Sequence, residues 1–264
     1  MEWNQIQFQV ENHTGTITLN TPRNFNALDH EKYAEIQRAL EICREDNGVR
    51  AVILRANGKA FSGGGDIDDM KRGVDSNSFD TNTLCMDSLR IVQTLRTLPK
   101  PVVAAVHGAA AGSGFLISLS CDILIAEESA KFYLPFVNIG LIPDASGMYT
   151  LTRVLGTNRA VAKAMMGEFY TAQEGVELGF VYRCCAKGTL DKEVADVTQK
   201  LVNGPTKAYA GLKKLAYISQ FLAASYEEYI PHEIAMQTQM SMTEDFYEGI
   251  TAFLEKRQAS FRGT

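Results

Sequence analysis

Three stretches of the chain carry residues whose types and spacing could do chemistry. Gly63-Gly64-Gly65-Asp66 sets a carboxylate behind three glycines, and Gly108 to Gly114 is an unbroken run of small residues ending in Gly112-Ser113-Gly114. No bulky side chain screens the main chain at either place, so a ligand can approach backbone N–H groups closely. A Gly-x-Gly that enters a helix also leaves free donors and the positive end of the helix dipole in front of it. Such a turn can bind a phosphate or a developing oxyanion, or simply pack a helix tightly on a strand. The third stretch, Ile139 to Gly147, holds a lone carboxylate, Asp144, just after Pro143. Asp66 and Asp144 each precede a helical pattern, so each also reads as a helix N-cap.

The elements that must position these residues alternate through the first two-thirds of the chain. Ile6, Phe8 and Val10, then Ile17 and Leu19, alternate with polar residues around Asn12 to Gly15, which predicts a β-hairpin. Asp29 is placed to cap a helix with Tyr33, Ile36, Leu40 and Cys43 on one face. Ala51 to Leu54 reads as a buried strand, Asp66 to Arg72 as a helix, and 73–83 as a polar, irregular segment. Leu84 to Leu98 is an amphipathic helix stopped by Pro99-Lys100-Pro101. Val102 to Val106 is an apolar strand, and Phe115 to Leu119 a buried helix beyond the small-residue turn. Strands follow at Ile123 to Ala126 and Lys131 to Tyr133, then a helix containing Tyr149, Leu151 and Val154. Beyond Gly156 the pattern is mostly helical, with a capping box at Thr171-Ala172-Gln173-Glu174. Helices are expected over Asp191 to Val202, Thr206 to Ser219, Glu227 to Met240 and Glu244 to Lys256. The apolar Met236, Met240, Phe246 and Phe253 read as packing or subunit-contact surface. The fold class is therefore α/β, with a core over 1–200 and a helical region over 201–264.

Composition narrows the function. The 264 residues are 45% hydrophobic, the net charge is −5 and the pI about 5.5, with no basic block. Nucleic acid and anionic membranes are poor partners for such a surface. The five cysteines show neither C-x-x-C pairing nor metal-ligand spacing, which suits buried thiols in a reducing compartment and no metal site. No apolar run reaches the length that spans a bilayer, and the N-terminal residues resemble neither a signal nor a transit peptide. A cytoplasmic enzyme is the expectation.

Taken together, Phe61-Ser62-Gly63-Gly64-Gly65-Asp66-Ile67, the block from His107-Gly108 to Asp122, and Ile139 to Gly147 resemble the enoyl-CoA hydratase/isomerase (crotonase) family. Glu248 to Arg257 looks like that family's tail signature, and Asn20-Thr21-Pro22 through Asn26-Ala27-Leu28 like its first CoA-contact loop. The resemblance implies a crotonase spiral of ββα units with C-terminal trimerisation helices, as a homotrimer or a dimer of trimers (a hexamer). It implies an acyl-CoA substrate, with coenzyme A bound as part of the thioester and no tightly held cofactor. The thioester oxygen would lie between the N–H groups of Gly65 and Ser113. The CoA portion would meet Asn26, Ala27, Leu28, Gly63, Gly64, Asp66 and Ile67, with Arg23 in reach of a phosphate. Phe261 and Arg262 would close over it from a neighbouring subunit's tail.

The same match bears on the reaction. Hydratases of the family use two glutamates, and the matching positions here are Leu116 and Phe136, which can neither accept a proton nor orient water. Asp144 occupies the position used by members resembling ring-1,2-epoxyphenylacetyl-CoA isomerases and by one acid of dienoyl-CoA isomerases. One acid/base suffices to shift a double bond, and apolar Leu116, Phe136 and Leu141 should raise its pKa. A hydratase with non-standard acids and a non-catalytic acyl-CoA binder are the alternatives. Related dehalogenases carry tryptophan where this chain has Phe136, and the only tryptophan is Trp3. RNA-binding relatives carry a lysine comb that Glu31 to Arg44 lacks. Asp68 and Asp69 read as a solvated helix face. Phe115, Tyr133, Phe136 and Met148 are candidates to line an acyl cavity.

Overall fold

The computed structural model describes residues 2–264. It begins with the expected hairpin, β1 (Ile6–Glu11) and β2 (Thr14–Leu19), with Ile6 opposite Leu19. In α1 (His30–Glu45), Asp29 caps the first turn by accepting from the Lys32 amide. Next come β3 (Ala51–Ala56), α2 (Ile67–Asp75), α3 (Thr81–Thr97), β4 (Val102–Val106), β5 (Ala109–Ala111), α4 (Ser113–Leu119), β6 (Ile123–Glu127) and β7 (Lys131–Tyr133). Then follow α5 (Gly147–Leu155), α6 (Thr157–Met166), β8 (Phe169–Thr171), α7 (Ala172–Glu177), β9 (Arg183–Cys185) and α8 (Leu190–Val202). Helices α9 (Thr206–Tyr217), α10 (Tyr226–Met240) and α11 (Glu244–Glu255) end the chain.

The main sheet has the order β1-β2-β3-β4-β6-β9, antiparallel at the first pair and parallel beyond it. A smaller sheet orders β5-β7-β8. Strand β4 shows why the apolar run at 102–106 is continuous. Val102, Ala104 and Val106 join the large core with α1 and α3, while Val103 and Ala105 face α8 through Leu190, Val194 and Leu201. A parallel strand covered on both faces has no polar side to show.

Several local expectations need correcting. Ala109 to Ala111 is a strand, not a turn, because its backbone pairs in register with Lys131 to Tyr133. The polar segment 73–83 is helical at both ends and irregular only over 76–80: α2 runs to Asp75 and α3 begins at Thr81 under an Asp80 cap. Helix α6 falls in the stretch expected to be mostly helical, whereas the short strands β8 and β9 interrupt it without a sequence signal. The capping box at Thr171 and Glu174 forms as expected. Among the described residues no helix is long and apolar enough to cross a membrane.

Candidate active site

The site is assembled from three loops that meet in front of α4. The first, residues 62–66, lies between the 24–28 loop and β5. Single β-bridges join Leu28 to Gly65 and Ser62 to Ala110. In this loop the amide of Gly63 donates to Phe25 O, that of Gly64 to Ser62 Oγ and that of Asp66 to Leu28 O. The Gly65 amide donates to no acceptor among the described residues. On the second segment the amides of Ala111 and Gly112 donate to Ser62 O and Tyr133 O, and again the next one, Ser113, donates to none. Ser113 opens α4, where first-turn N–H groups have no helical partner. Both free amides line one cavity of about 260 Å3. Glycine is required where the two segments touch: Gly64 has φ +87°, and a Cβ there would sit 2.8 Å from Ala111 O.

The 24–28 loop braces this arrangement. Asn26 is fully buried, its amide nitrogen donating to Asn57 O and Ala60 O and its oxygen accepting from the Thr21 amide. Ala27 and Leu28 are buried too, and the Lys32 ammonium donates to Ala27 O and Thr21 Oγ1. The backbone of Phe25, Asn26 and Leu28 therefore holds the glycine loop in place, and the side chains of Asn26, Ala27 and Leu28 are turned into the interior. Asp66 is the N-cap of α2, accepting from the Asp69 amide, and Ile67 beside it lines the cavity. Arg23 is exposed on the Pro22–Asn24 turn, outside the cavity. Phe261 and Arg262 of this chain lie elsewhere, their backbones tied to Arg50 and Asp245.

Asp144 comes from the third loop. It does not cap α5: Ala145 and Ser146 are both left-handed, so the helix begins only at Gly147 and the carboxylate turns away from it. Its oxygens instead face Ser113 Oγ at 3.1 and 3.2 Å and Ser88 Oγ at 3.2 Å. Burial pushes its pKa upward, and the two serine hydroxyls pull it part of the way back. Of the side chains expected to desolvate it, Phe136 and Leu141 line the cavity, whereas Leu116 lies buried behind, against Gly147. Of the proposed acyl-pocket residues only Phe136 lines it. Phe115 packs on Phe132 and Phe180, Tyr133 on Phe169, and Met148 against the core. Asp68 and Asp69 lie on the outer turn of α2, Asp69 paired with Arg72.

Two residues that the sequence hid join the cluster. Tyr33, from the apolar stripe of α1, is 1% exposed, lines the cavity and lies in hydrogen-bonding reach of the Ser113 hydroxyl. Burial and the nearby Asp144 push its phenol upward, so it stays protonated. Ser88 of α3 is fully buried. Nothing in helical periodicity marks a tyrosine or a serine on an inward face as polar machinery.

Two amides without acceptors and one desolvated carboxyl, in a cavity walled mostly by apolar side chains, define a site that can carry charge on an oxygen while a proton moves nearby. The sequence profile of the enoyl-CoA hydratase/isomerase family matches residues 9–264, and the chain belongs to that family. It is 36% identical to the trans-2-decenoyl-[acyl-carrier-protein] isomerase of Streptococcus mutans serotype c, over 100% of both chains. It is 34% identical to the 1,2-epoxyphenylacetyl-CoA isomerase of Escherichia coli K12, with 98% of each covered. It is 32% identical to the mitochondrial enoyl-CoA hydratase of Pongo abelii, over 95% of this chain and 84% of the relative. The crystal structure of an enoyl-CoA hydratase from Polaromonas sp. JS666 matches with a TM-score of 0.91 at 29% identity, covering 97% and 99% of the two chains. That of Mycobacterium smegmatis gives 0.89 at 30% identity, covering 98% and 99%. The mixed α/β architecture is thus the crotonase fold that the motifs implied.

Proposed function

We propose that the protein is a double-bond isomerase acting on an enoyl thioester, with Asp144 as its one acid/base. The observation that carries this reading is that Asp144 is the only carboxylate lining the cavity among the described residues. The thioester oxygen would accept from the Gly65 and Ser113 amides. Asp144 would take a proton from the γ-carbon of a 2-enoyl chain, the charge would pass through the dienolate to that oxygen, and Asp144 would return the proton to the α-carbon. The product is the 3-enoyl thioester, and the reverse path is the same. A carboxyl raised by desolvation is suited to both halves of this cycle. No second acid or base is needed, and water takes no part.

Coenzyme A, as part of the substrate, is the carrier this reading favours. The phosphopantetheine arm that coenzyme A shares with acyl carrier protein makes the S. mutans relative's substrate chemically comparable. A homotrimer would cover the apolar residues exposed on and between the last helices, among them Leu212, Met242, Phe253 and Leu254. A hydratase reading has the name of the Pongo abelii relative in its favour, but it requires an acid and a base where Leu116 and Phe136 stand. The test is an absorbance assay of purified protein against crotonyl-CoA, 3-enoyl-CoA and 2,5-dienoyl-CoA, with Asp144→Asn alongside. Isomerisation that requires Asp144 supports the proposal. Brisk crotonyl-CoA hydration that survives Asp144→Asn overturns it, and bound CoA thioester without turnover points to a binder.

A further inference from the structure

The Asp144 carboxyl is held by side-chain hydroxyls: among the described residues neither a cationic side chain nor another residue's amide reaches it. Hydroxyls differ from cations and amides in that each can donate and accept. Ser88 Oγ lies 2.9 Å from the Cys85 carbonyl oxygen and 3.2 Å from Asp144 Oδ2, and it has a single proton to give. Ser113 Oγ lies 3.1 Å from Oδ1, with the Tyr33 phenol in reach of it.

We propose that Ser88 is a switching partner of Asp144, and that Ser113, backed by Tyr33, is its fixed anchor. With Asp144 ionised, Ser88 and Ser113 both donate to the carboxylate and Tyr33 donates to Ser113. When Asp144 gains a proton, its Oδ2–H donates to Ser88 Oγ, and the Ser88 proton turns to the Cys85 carbonyl. Ser113 keeps donating to Oδ1 throughout. Apart from the one proton gained, the two states differ only by rotation of the Ser88 hydroxyl, so the carboxyl keeps one orientation whether or not it is charged. The other titratable groups facing the cluster are Tyr33 from α1 and Cys85 from α3, both pushed upward by burial, with Asp87 of α3 adding to the shift at Tyr33. The α4 N-terminus and the 135–143 loop bring none besides Asp144 to the cavity. Ser88, Ser113 through its side chain, and Tyr33 are thus positioning residues. The idea rests on the isomerase reading for its catalytic meaning, although the switch itself does not need substrate.

The experiment is a carbon-13 NMR titration of aspartate side-chain carboxyls, with the Asp144 signal identified by its loss in Asp144→Asn. In Ser88→Ala the midpoint should move upward, because the ionised form loses a charge-assisted donor while the neutral form loses only the weaker bond to an uncharged acceptor. Ser88→Cys keeps the volume with a weaker donor, and should shift less in the same direction. Ser88→Thr keeps the hydroxyl and should restore the native midpoint. In turnover, Ser88→Ala should lower kcat about tenfold with KM unchanged, and carry the acidic limb of the kcat profile upward. Tyr33→Phe should act likewise and more weakly. An unmoved Asp144 midpoint in both Ser88→Ala and Ser88→Cys overturns the proposal. Should Ser88→Ala fail to fold, the contrast between Ser88→Cys and Ser88→Thr decides. A midpoint that moves in a protein without isomerase activity keeps the switch and rejects the isomerase reading.

Discussion

Two aspartates flank α4, and their surroundings are opposite. Asp122, just past its C-terminal end, accepts from the Val102 amide at 2.7 Å and from Lys213 at 2.6 Å, with Lys213 reaching in from α9. Asp144, before its N-terminal end, has hydroxyl partners and no cation. Desolvation raises the pKa of both and is the largest cause in each. Burial alone therefore does not single out a catalytic carboxyl. What separates them is the partner: a cation and an amide can only donate to the anion, whereas a hydroxyl can also accept from the protonated acid.

The comparison is broken most directly by exchanging carboxyl for amide. Asp144→Asn should lower isomerisation by about 10³-fold with thioester binding retained, measured as kcat beside a binding isotherm. Next is the proposed oxyanion pair. Proline fits the first position of a helix, so Ser113→Pro removes one donor while leaving α4 to form. A loss of about 10²–10³ in kcat is expected, and Ser113→Ala, which keeps the amide, should lose far less. Equal losses in the two variants would show that the amide does not matter.

The structural aspartate should respond in stability. Asp122→Ala strands the Lys213 ammonium, whose side chain is 8% exposed, and leaves the Val102 amide without its acceptor. A loss of about 3 kcal/mol in denaturant unfolding is expected, with kcat per folded molecule unchanged. The smallest effect sharpens the contrast through pH. Because Asp144 titrates higher in the native state than its ordinary 3.8, the native protein holds that proton more tightly than the unfolded chain. Ionised Asp144 therefore costs stability, increasingly as pH climbs from 3.8 through the raised value. Asp144→Asn should accordingly melt about 2 °C higher at neutral pH, and the gap should close below the ordinary aspartate range.

Much of this was legible in the chain, for identifiable reasons. Apolar alternation marked β1 and β2, a doubly covered strand marked β4, and caps such as Asp29 and Thr171 marked helix starts. The three-residue strands β8 and β9 are too short to show a period. Asp144 could not be told from an N-cap by local sequence, because the left-handed pair Ala145 and Ser146 that turns it away contains no glycine. Ser88 and Tyr33 were hidden for a different reason. Their partners lie 56 residues away for Ser88–Asp144 and on another element for Tyr33–Ser113, so only packing brings them together.

The contact between Gly64 and Ala111 has an evolutionary consequence. The two amides without acceptors, at Gly65 and Ser113, are spaced by backbone meeting backbone, with a Cβ on Gly64 excluded by the Ala111 carbonyl. Side chains around the cavity, at Ser113, Phe136 or Leu141, can vary without altering that spacing. A frame of this kind separates what must be kept from what may drift. Side chains that hold an acid, a base or the shape of the pocket can be changed one residue at a time on such a frame, with the amide spacing left in place. Relatives whose names record different reactions on one scaffold are what such a division of labour allows.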